Sequence, residues 1–516
     1  MPEESPSRLI PPKFIRRKDL TSPVRSVLVI EAYQAQQEGA WGVITELSQQ
    51  YEVSRTFIYS LLSYFKRALS NLVFPEISPT AFSKEELEAR ILAQRFEGRS
   101  SIDAISTLMK RDNLPYSSVG SISQILSHIG RLLPSVLVNK AKPQMLVFAE
   151  DEIFARSSPI LITVDPISSA ILSIELAGKR TSEQWAKHLK GIVANGYSPR
   201  LVASDAGTAI KAAHRKVFAD IPWQLDTFHG ISHRLGHWDA RLEKSAYATI
   251  EAAVKREKAL ASARSEKVID KRLNRCVEAD KKEQEAIDLY DNFNYLYRYL
   301  IHQLKTFDSA GKLRQRDQAE ENMTIALELM TSLAHKAIYK EAALIKKTLP
   351  DLLTYFDDAV IAFEKCQQLT TNKDALQSLV LAWQWNKSVI KSKITSRKNH
   401  AIEQRDFYLQ LANLFVGNDE QTLKLKEAID AELDQIIQAS SMVECINSIL
   451  RPYLNNSKNQ VTQGFLNTFM FYHNHRRYHA GKRQGKTPME LLTGKAQKED
   501  WIVLLQKEVK ERRLTA

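Results

Sequence analysis

Three carboxylates in the 516-residue chain stand in settings that suit phosphodiester chemistry. Asp151 interrupts the apolar run MLVFAEDEIFA, Asp205 ends RLVASDAG, and Glu444 lies in SSMVECINSILRPYL with Asn447 and Arg451 following. Carboxylates are hard oxygen ligands and suit Mg²⁺ or Mn²⁺ rather than zinc. Such a set holds two divalent ions roughly 3.5–4 Å apart, one activating an attacking hydroxyl and the other stabilising the leaving oxygen. Each acid has rivals. Glu150 and Glu152 flank Asp151, and strand alternation puts both on the opposite face. A one-residue slip would exchange them. Asp205 is also placed to cap a following helix. Glu432 and Asp434 compete with Glu444, and Asp165 in V-D-P reads as a turn residue.

Other residues invite nucleic-acid readings. His473, His475 and His479 resemble a metal cluster, but no Cys or carboxylate completes a tetrahedral set. Arg476 and Arg477 beside them are therefore expected to face DNA. Trp383 and Trp385 in LVLAWQWNKSVIKSK would suit stacking on an extruded base, or packing inside a helical core. Lys387, Lys391, Lys393, Arg397 and Lys398 nearby suit a phosphate backbone.

These residues need elements to position them. MLVFAEDEIFA, PILITV and AILSIELA predict three strands in a meander, turning at Asp165-Pro166. A helix over about 182–195, a strand in RLVASDAG, a helix over about 208–218 and a strand at 223–226 follow. The order β-β-β-α-β-α-β is the core of a ribonuclease-H-like fold. Residues 237–438 read as an all-helical domain, 439–494 return to the core, and 495–516 form a basic helical tail. Upstream, residues 1–25 read as a flexible basic arm and 26–72 as a helix-turn-helix. Ser54 there caps a second helix with Ile58, Leu61, Leu62 and Phe65 at helical spacing. The second helix of such a motif enters the major groove, which would turn Arg55, Thr56, Tyr59 and Ser60 to DNA. Ser83 and Glu86 form a capping box. Residues 80–135 read as a second helical or helix-turn-helix domain, and 134–144 as a linker.

Composition narrows the class. The chain is 44% apolar, with 17 Gly and 17 Pro, which excludes wholesale disorder and collagen-like repeats. No apolar run of about 18 residues predicts a membrane span, and the N-terminus lacks the apolar stretch of a secretory signal. Three distant cysteines fit a reducing compartment. The net charge of +12 points to nucleic acid.

In these stretches the chain resembles the DDE transposases of the retroviral-integrase superfamily. The likeness rests on FAEDEIFARSSPILITVDPISSAILSIEL, PRLVASDAGTAIKAA, SSMVECINSILRPYLNN and FLNTFMFYHNHRRYHAGKRQGKTPMELLTG. It covers about residues 140–235 and 440–494, and its strength lies in the ordered set. It implies Asp151, Asp205 and Glu444 as catalytic, metal-binding residues, with Asn447 and Arg451 beside the third. The long stretch between Asp205 and Glu444 is similar to the helical insertion of hAT and Mutator-like transposases. LDTFHG resembles their [C/D]xxH motif, which implies that Asp226 and His229 lie near the site; a packed pair is the alternative. The expected fold is multidomain α+β: helix-turn-helix units, then a ribonuclease-H-like core interrupted by a large all-α insertion. The resemblance further implies two Mg²⁺ or Mn²⁺ ions, double-stranded DNA partners (terminal inverted repeats and target), a homodimer or larger assembly, and a cytoplasmic, nucleoid-associated protein in a prokaryote. A transposase-derived regulator without activity and a structure-selective nuclease are the rival readings.

Overall fold

The computed structural model describes residues 17–73, 82–139, 141–205 and 207–515. Residues 1–16 of the expected basic arm lie outside this set. The rest of that arm is already structured: helix α1 (Ser22–Gln37) starts at Ser22 rather than near Ser26. Pro23 at its first turn suits that start, because a proline there removes an N–H with no helical partner anyway.

The chain forms two compact units, meeting in sequence at Leu87 and Glu88. In the first, α1 packs with α2 (Val43–Gln50) and α3 (Arg55–Val73). Leu28, Ala32, Leu47, Ile58 and Leu62 are their common core. Ser54 Oγ accepts from Phe57 N–H at 3.1 Å, the cap the sequence predicts. Arg55, Thr56, Tyr59 and Ser60 are exposed on α3.

The second unit opens within α4 (Lys84–Phe96), whose Ser83–Glu86 capping box is formed by reciprocal bonds of 2.7 and 3.1 Å. Then come α5 (Ile102–Arg111) and α6 (Val119–Leu132). A five-stranded mixed sheet follows: β1 (Gln144–Ala155), β2 (Ser158–Val164), β3 (Ile171–Leu176), β4 (Tyr197–Ser204) and β5 (Trp223–Leu225). Its order is β3-β2-β1-β4-β5. The meander β1–β3 is antiparallel, whereas β4 and β5 run parallel to β1. Helices α7 (Ser182–Ala194) and α8 (Thr208–Val217) supply the crossovers, as parallel pairing demands.

Eight helices then separate β5 from the rest of the core: α9 (His233–Ala261), α10 (Glu266–Gln303), α11 (Arg316–Thr331), α12 (Lys336–Leu352), α13 (Tyr355–Leu369), α14 (Lys373–Lys391), α15 (Thr395–Val416) and α16 (Asp419–Leu433). The chain returns as α17 (Ser441–Asn456), α18 (Gln463–His475), α19 (Pro488–Thr493) and α20 (Trp501–Thr515). It is thus a mixed α/β protein, mostly helical. Among the described residues no helix is long and apolar enough to cross a membrane.

Alternation along β1 divides the core. Phe148 joins Leu161, Trp185, Leu189 and Ile210 on the α7–α8 side. Ala149 and Ile153 join Ile446, Leu450, Phe469 and Trp501 on the α17–α18–α20 side. Each such fully buried large side chain contributes roughly 1.5–3 kcal/mol. The stretch 80–135 differs from the expected separate domain. Leu92, Phe96, Ile129 and Leu133 belong to the second of these cores. Gly130 lets the backbones touch: a Cβ there would meet Gly464 O at 2.2 Å. The expected linker differs too. Leu137 N–H donates to Leu172 O, and Ile174 N–H to Ser135 O, so this segment lines the outer edge of β3.

Candidate active site

Asp151 lies midway along β1, paired across from Ile162. It shares its face of the strand with Ala149 and Ile153, the face that α17 covers. On α17, Asn447 Nδ2 donates to Asp151 Oδ2 at 2.8 Å. Asp205 follows the last residue of β4, the parallel neighbour of β1. Carboxyl ends of parallel strands are where open α/β sheets present ligands. Asp205 Oδ1 accepts from Gly207 N–H at 2.8 Å, and a Cβ on Gly207 would lie 2.8 Å from that same oxygen. Glycine thus leaves the carboxylate its position. Glu444 sits in the first turn of α17, half-exposed.

Asp151 lies within reach of the charges of the other two acids. Burial, first, pushes Asp151 up to about 6; a backbone hydrogen bond opposes this, and the charges of Asp205 and Glu444 add to it. The neighbouring glutamates face elsewhere. Glu152 pairs with Arg180, and its pKa is raised by burial against that pairing. Glu150 is fully buried, neither oxygen has a hydrogen-bond partner among the described residues, and burial pushes it up to about 8.

Asp226 and His229 tie the start of the insertion to its end. Asp226 Oδ1 accepts from Phe228 N–H (2.7 Å) and His229 N–H (3.0 Å). Its Oδ2 accepts from Ser440 N–H (2.7 Å) and Ser440 Oγ–H (2.8 Å). Ser440 is the residue from which α17 departs. The chain makes one π-helical turn at Phe228–Ser232, and His229 Nε2 lies 2.7 Å from Glu444 Oε1. Burial opposes the charged ring of His229. The hydrogen bond to Glu444 and the charges of Asp226, Glu444 and Asp205 outweigh it, so its pKa is raised. The sequence marks Asp226, in LDTFHG; nothing in it joins Asp226 to Ser440, on the far side of eight helices.

Among the described residues no three His, Cys, Asp or Glu side chains already surround one metal-sized point. Glu444 is turned to His229 and Asp205 to Gly207. The donor set nonetheless suits a divalent cation. It is all oxygen, it gathers negative charge around Asp151, and Asn447 Oδ1 is buried without a partner beside it. Asp151, Asp205 and Glu444 are the residues that would hold such ions.

Other expected site residues are engaged differently. Arg451 is exposed on α17 and forms no hydrogen bond or ion pair with the described residues. Trp383 is buried, its Nε1–H donating to Asp434 Oδ1 at 3.1 Å, so it is no open stacking platform. Trp385 is half-buried against His400, with Lys305 Nζ 5.4 Å from its ring centre. Arg477, expected to face DNA, pairs with Glu490 at 2.9 Å and donates to Gly485 O. Arg476 lies over the rings of Tyr472 and Tyr478, 5.5 Å from each centre. The histidines do not cluster: His473 is fully buried against Ser169 O, while His475 meets Gln497. Asp165 is a turn residue, accepting from Ser168 N–H at 2.8 Å. No protein-family model matches the chain, and no curated protein matches it.

Proposed function

We propose that the chain is a DDE-type DNA transposase with a ribonuclease-H-like core, cleaving element ends and joining them to target DNA. The observation that carries this reading is the convergence of three carboxylates from β1, the end of β4 and α17, close enough for two to raise the pKa of the third. The sheet order, with an antiparallel meander followed by two parallel strands, supports the same core. So does the return of the chain to the sheet after a long helical insertion.

Two Mg²⁺ or Mn²⁺ ions, when bound, would supply activation of the attacking hydroxyl and neutralisation at the phosphate. The protein's own groups arrange the carboxylates. Asn447 orients Asp151, Gly207 leaves room for Asp205, and His229 holds Glu444. Asp226 fixes the end of α17 that carries Glu444. One site serves hydrolysis and strand transfer, because both are in-line displacements at phosphorus. Arg55, Thr56 and Tyr59, exposed at the start of α3, are suited to reading terminal inverted repeats as the second helix of a helix-turn-helix. Bringing two ends together calls for a homodimer or larger assembly.

The test uses the full chain and labelled DNA from both ends of the genomic segment that encodes it. Mg²⁺-dependent nicking at an end, lost in Asp205→Ala and Glu444→Ala, is the expected result. End binding without nicking in any form would replace this reading with that of a regulator. Cutting of branched DNA without strand transfer would replace it with that of a nuclease.

A further inference from the structure

Between α4–α6, the β1–β2 turn and the loop from α17 to α18 lies a cavity of about 810 Å³, within the size range of small-molecule sites. It is distinct from the three carboxylates. Asn456, in its wall, ends the helix whose first turn holds Glu444, roughly 18 Å away along the helix axis.

The wall contains a buried arginine. Arg95 is 5% exposed, and its Nη1–H donates to Ser100 O at 2.7 Å. Its guanidinium lies over the Phe465 ring, 5.0 Å from the centre. Stacking of that kind leaves the N–H groups at the guanidinium edge free to donate. Among the described residues no carboxylate pairs with Arg95, and Ser100 O is its one acceptor. The two acids nearest to it in sequence are engaged elsewhere. Glu97 accepts from Trp501 Nε1–H at 2.7 Å, and Glu88 pairs with Arg513 at 3.7 Å. Burial lowers the pKa of Arg95, but a guanidinium keeps its charge in proteins. A buried charge without a counterion is costly, so this one calls for an anion.

Hydroxyls line the same cavity with nothing to bind. Ser123 and Ser127 stand one turn apart on α6, and Ser157 and Ser158 sit at the β1–β2 turn. None of these side chains has a hydrogen-bond partner among the described residues. The charged residues of the lining are Arg95, Arg156 and Lys458 against Asp103, three cations and one anion, hence +2. A phosphomonoester carries about −1.5 to −2 at neutral pH and offers three strong acceptor oxygens. An arginine fork beside hydroxyl donors suits it, and a single carboxylate would leave positive charge uncompensated. Inorganic phosphate would fill only a small part of the volume. Leu126, Val461 and Phe465 supply apolar wall for the remainder.

We infer that this cavity binds a small phosphomonoester with a ring-sized body, its phosphate on Arg95 and the serines and its body against Leu126, Val461 and Phe465. The inference does not rest on the transposase reading, and its failure would leave that reading standing.

The test is calorimetric titration of the full chain, in EDTA, with the ribonucleoside 5′-monophosphates, glucose 6-phosphate and phenyl phosphate. Each is titrated beside its dephosphorylated form and beside inorganic phosphate. At least one phosphomonoester should bind, and its dephosphorylated form should bind about tenfold more weakly or worse, because hydrogen bonds to a charged group carry at least that much. Ser123→Ala/Ser127→Ala removes two hydroxyls that bond nothing in the protein. It should keep the wild-type melting temperature and weaken binding by about tenfold or more. Arg95→Met should abolish binding, and the serine variant carries the test if that protein does not fold. A duplex with a 5′-phosphate should displace the bound phosphomonoester no better than the same duplex with a 5′-hydroxyl. Absence of binding by every phosphomonoester at millimolar concentration, equal affinity for a phosphomonoester and its dephosphorylated form, or wild-type affinity in the serine variant overturns the inference. Displacement by the phosphorylated duplex alone would make the ligand a DNA end and overturn its assignment to a small molecule.

Discussion

Helices α17 and α18 cover the same face of the sheet, and both are rich in polar residues, yet they use them in opposite ways. On α18 the polar groups are turned to backbone. Gln463 accepts from Leu176 N–H and donates to Ile174 O. Asn474 does the same for both groups of Ile171, at 2.8 and 2.9 Å. Strand β3 is the edge of the sheet, and an edge left open exposes unpaired backbone groups. The amides of α18 satisfy part of that edge, and His473 closes the turn before it through Ser169 O. The C-terminal half of α17 also turns to backbone, with Tyr453 and Asn456 donating to Phe96 O and Arg99 O, but in its first two turns Glu444 and Asn447 point to other side chains and keep capacity in reserve. Asn447 has a buried oxygen without a partner, and Glu444 is half-exposed with His229 on one oxygen. Satisfied polar groups hold a structure, and unsatisfied ones beside an acid cluster are available to a ligand.

The sharpest way to break this contrast is to change one residue on each helix. Glu444→Gln preserves shape and removes the charge that a cation would use. End nicking should fall by about a thousandfold, several kcal/mol of transition-state stabilisation, while the melting temperature stays near wild type. Asn474→Ala should do the reverse. It leaves the buried N–H and C=O of Ile171 unpaired, at roughly 1–3 kcal/mol each. Denaturant unfolding should register that loss, and nicking per folded molecule should not change. Comparable loss of activity in both variants would erase the distinction.

His473 sharpens the contrast through pH. Burial, first, and the charge of Arg476 lower its pKa from 6.5 to about 3, against the pull of Ser169 O. A depressed folded pKa means that the unfolded state takes up the proton first. The stabilising difference is therefore complete above about pH 6.5 and is lost as the pH falls toward 3. The full loss is on the order of 5 kcal/mol. In urea titrations His473→Gln, whose side chain does not titrate, should lose less stability than wild type across that window. Parallel slopes would mean that the ring is not held neutral.

A smaller effect is expected from Asn447→Ala. The side chain donates to Asp151, and removing such a supporting bond typically costs 10–100-fold in metal affinity or activity. Raising the Mn²⁺ concentration should recover much of the nicking in Asn447→Ala and none in Glu444→Gln.

The sequence made some of this legible, and physical reasons explain which parts. The strands are short but bounded by turn chemistry, and period-two alternation turns Asp151 away from its two glutamate neighbours. Capping signals located α3 and α4 because they act over three or four residues. The packing of α4 and α6 against the sheet was not legible, since an amphipathic helix does not encode what covers it. Nor was the role of FYHNHRRYH. Its arginines and histidines have the composition of a DNA-facing helix, but Glu490, in the next helix, engages Arg477, and Ser169, far away in sequence, engages His473. Trp383 shows the same limit, because its burial depends on Asp434 and Phe307.

The least disruptive change tests how α17 is held at all. Ser440 gives Asp226 two hydrogen bonds, one from its backbone and one from its hydroxyl. Ser440→Ala removes only the second. The backbone bond and the two amides on the other oxygen remain, so about 1 kcal/mol should be lost. That loss falls at the point where the helical insertion ends and the Glu444 helix begins. If the Asp226 contact only stabilised the fold, unfolding would shift and nicking by the folded protein would not. If it also sets the start of α17, Glu444 sits one turn away and inherits the error. Small misplacements of reacting groups are costly, so nicking should fall several-fold beyond the loss of folded protein. His229 limits that fall, because it grips Glu444 independently of Ser440. The double variant Ser440→Ala/His229→Ala should therefore lose more than the product of the two single losses.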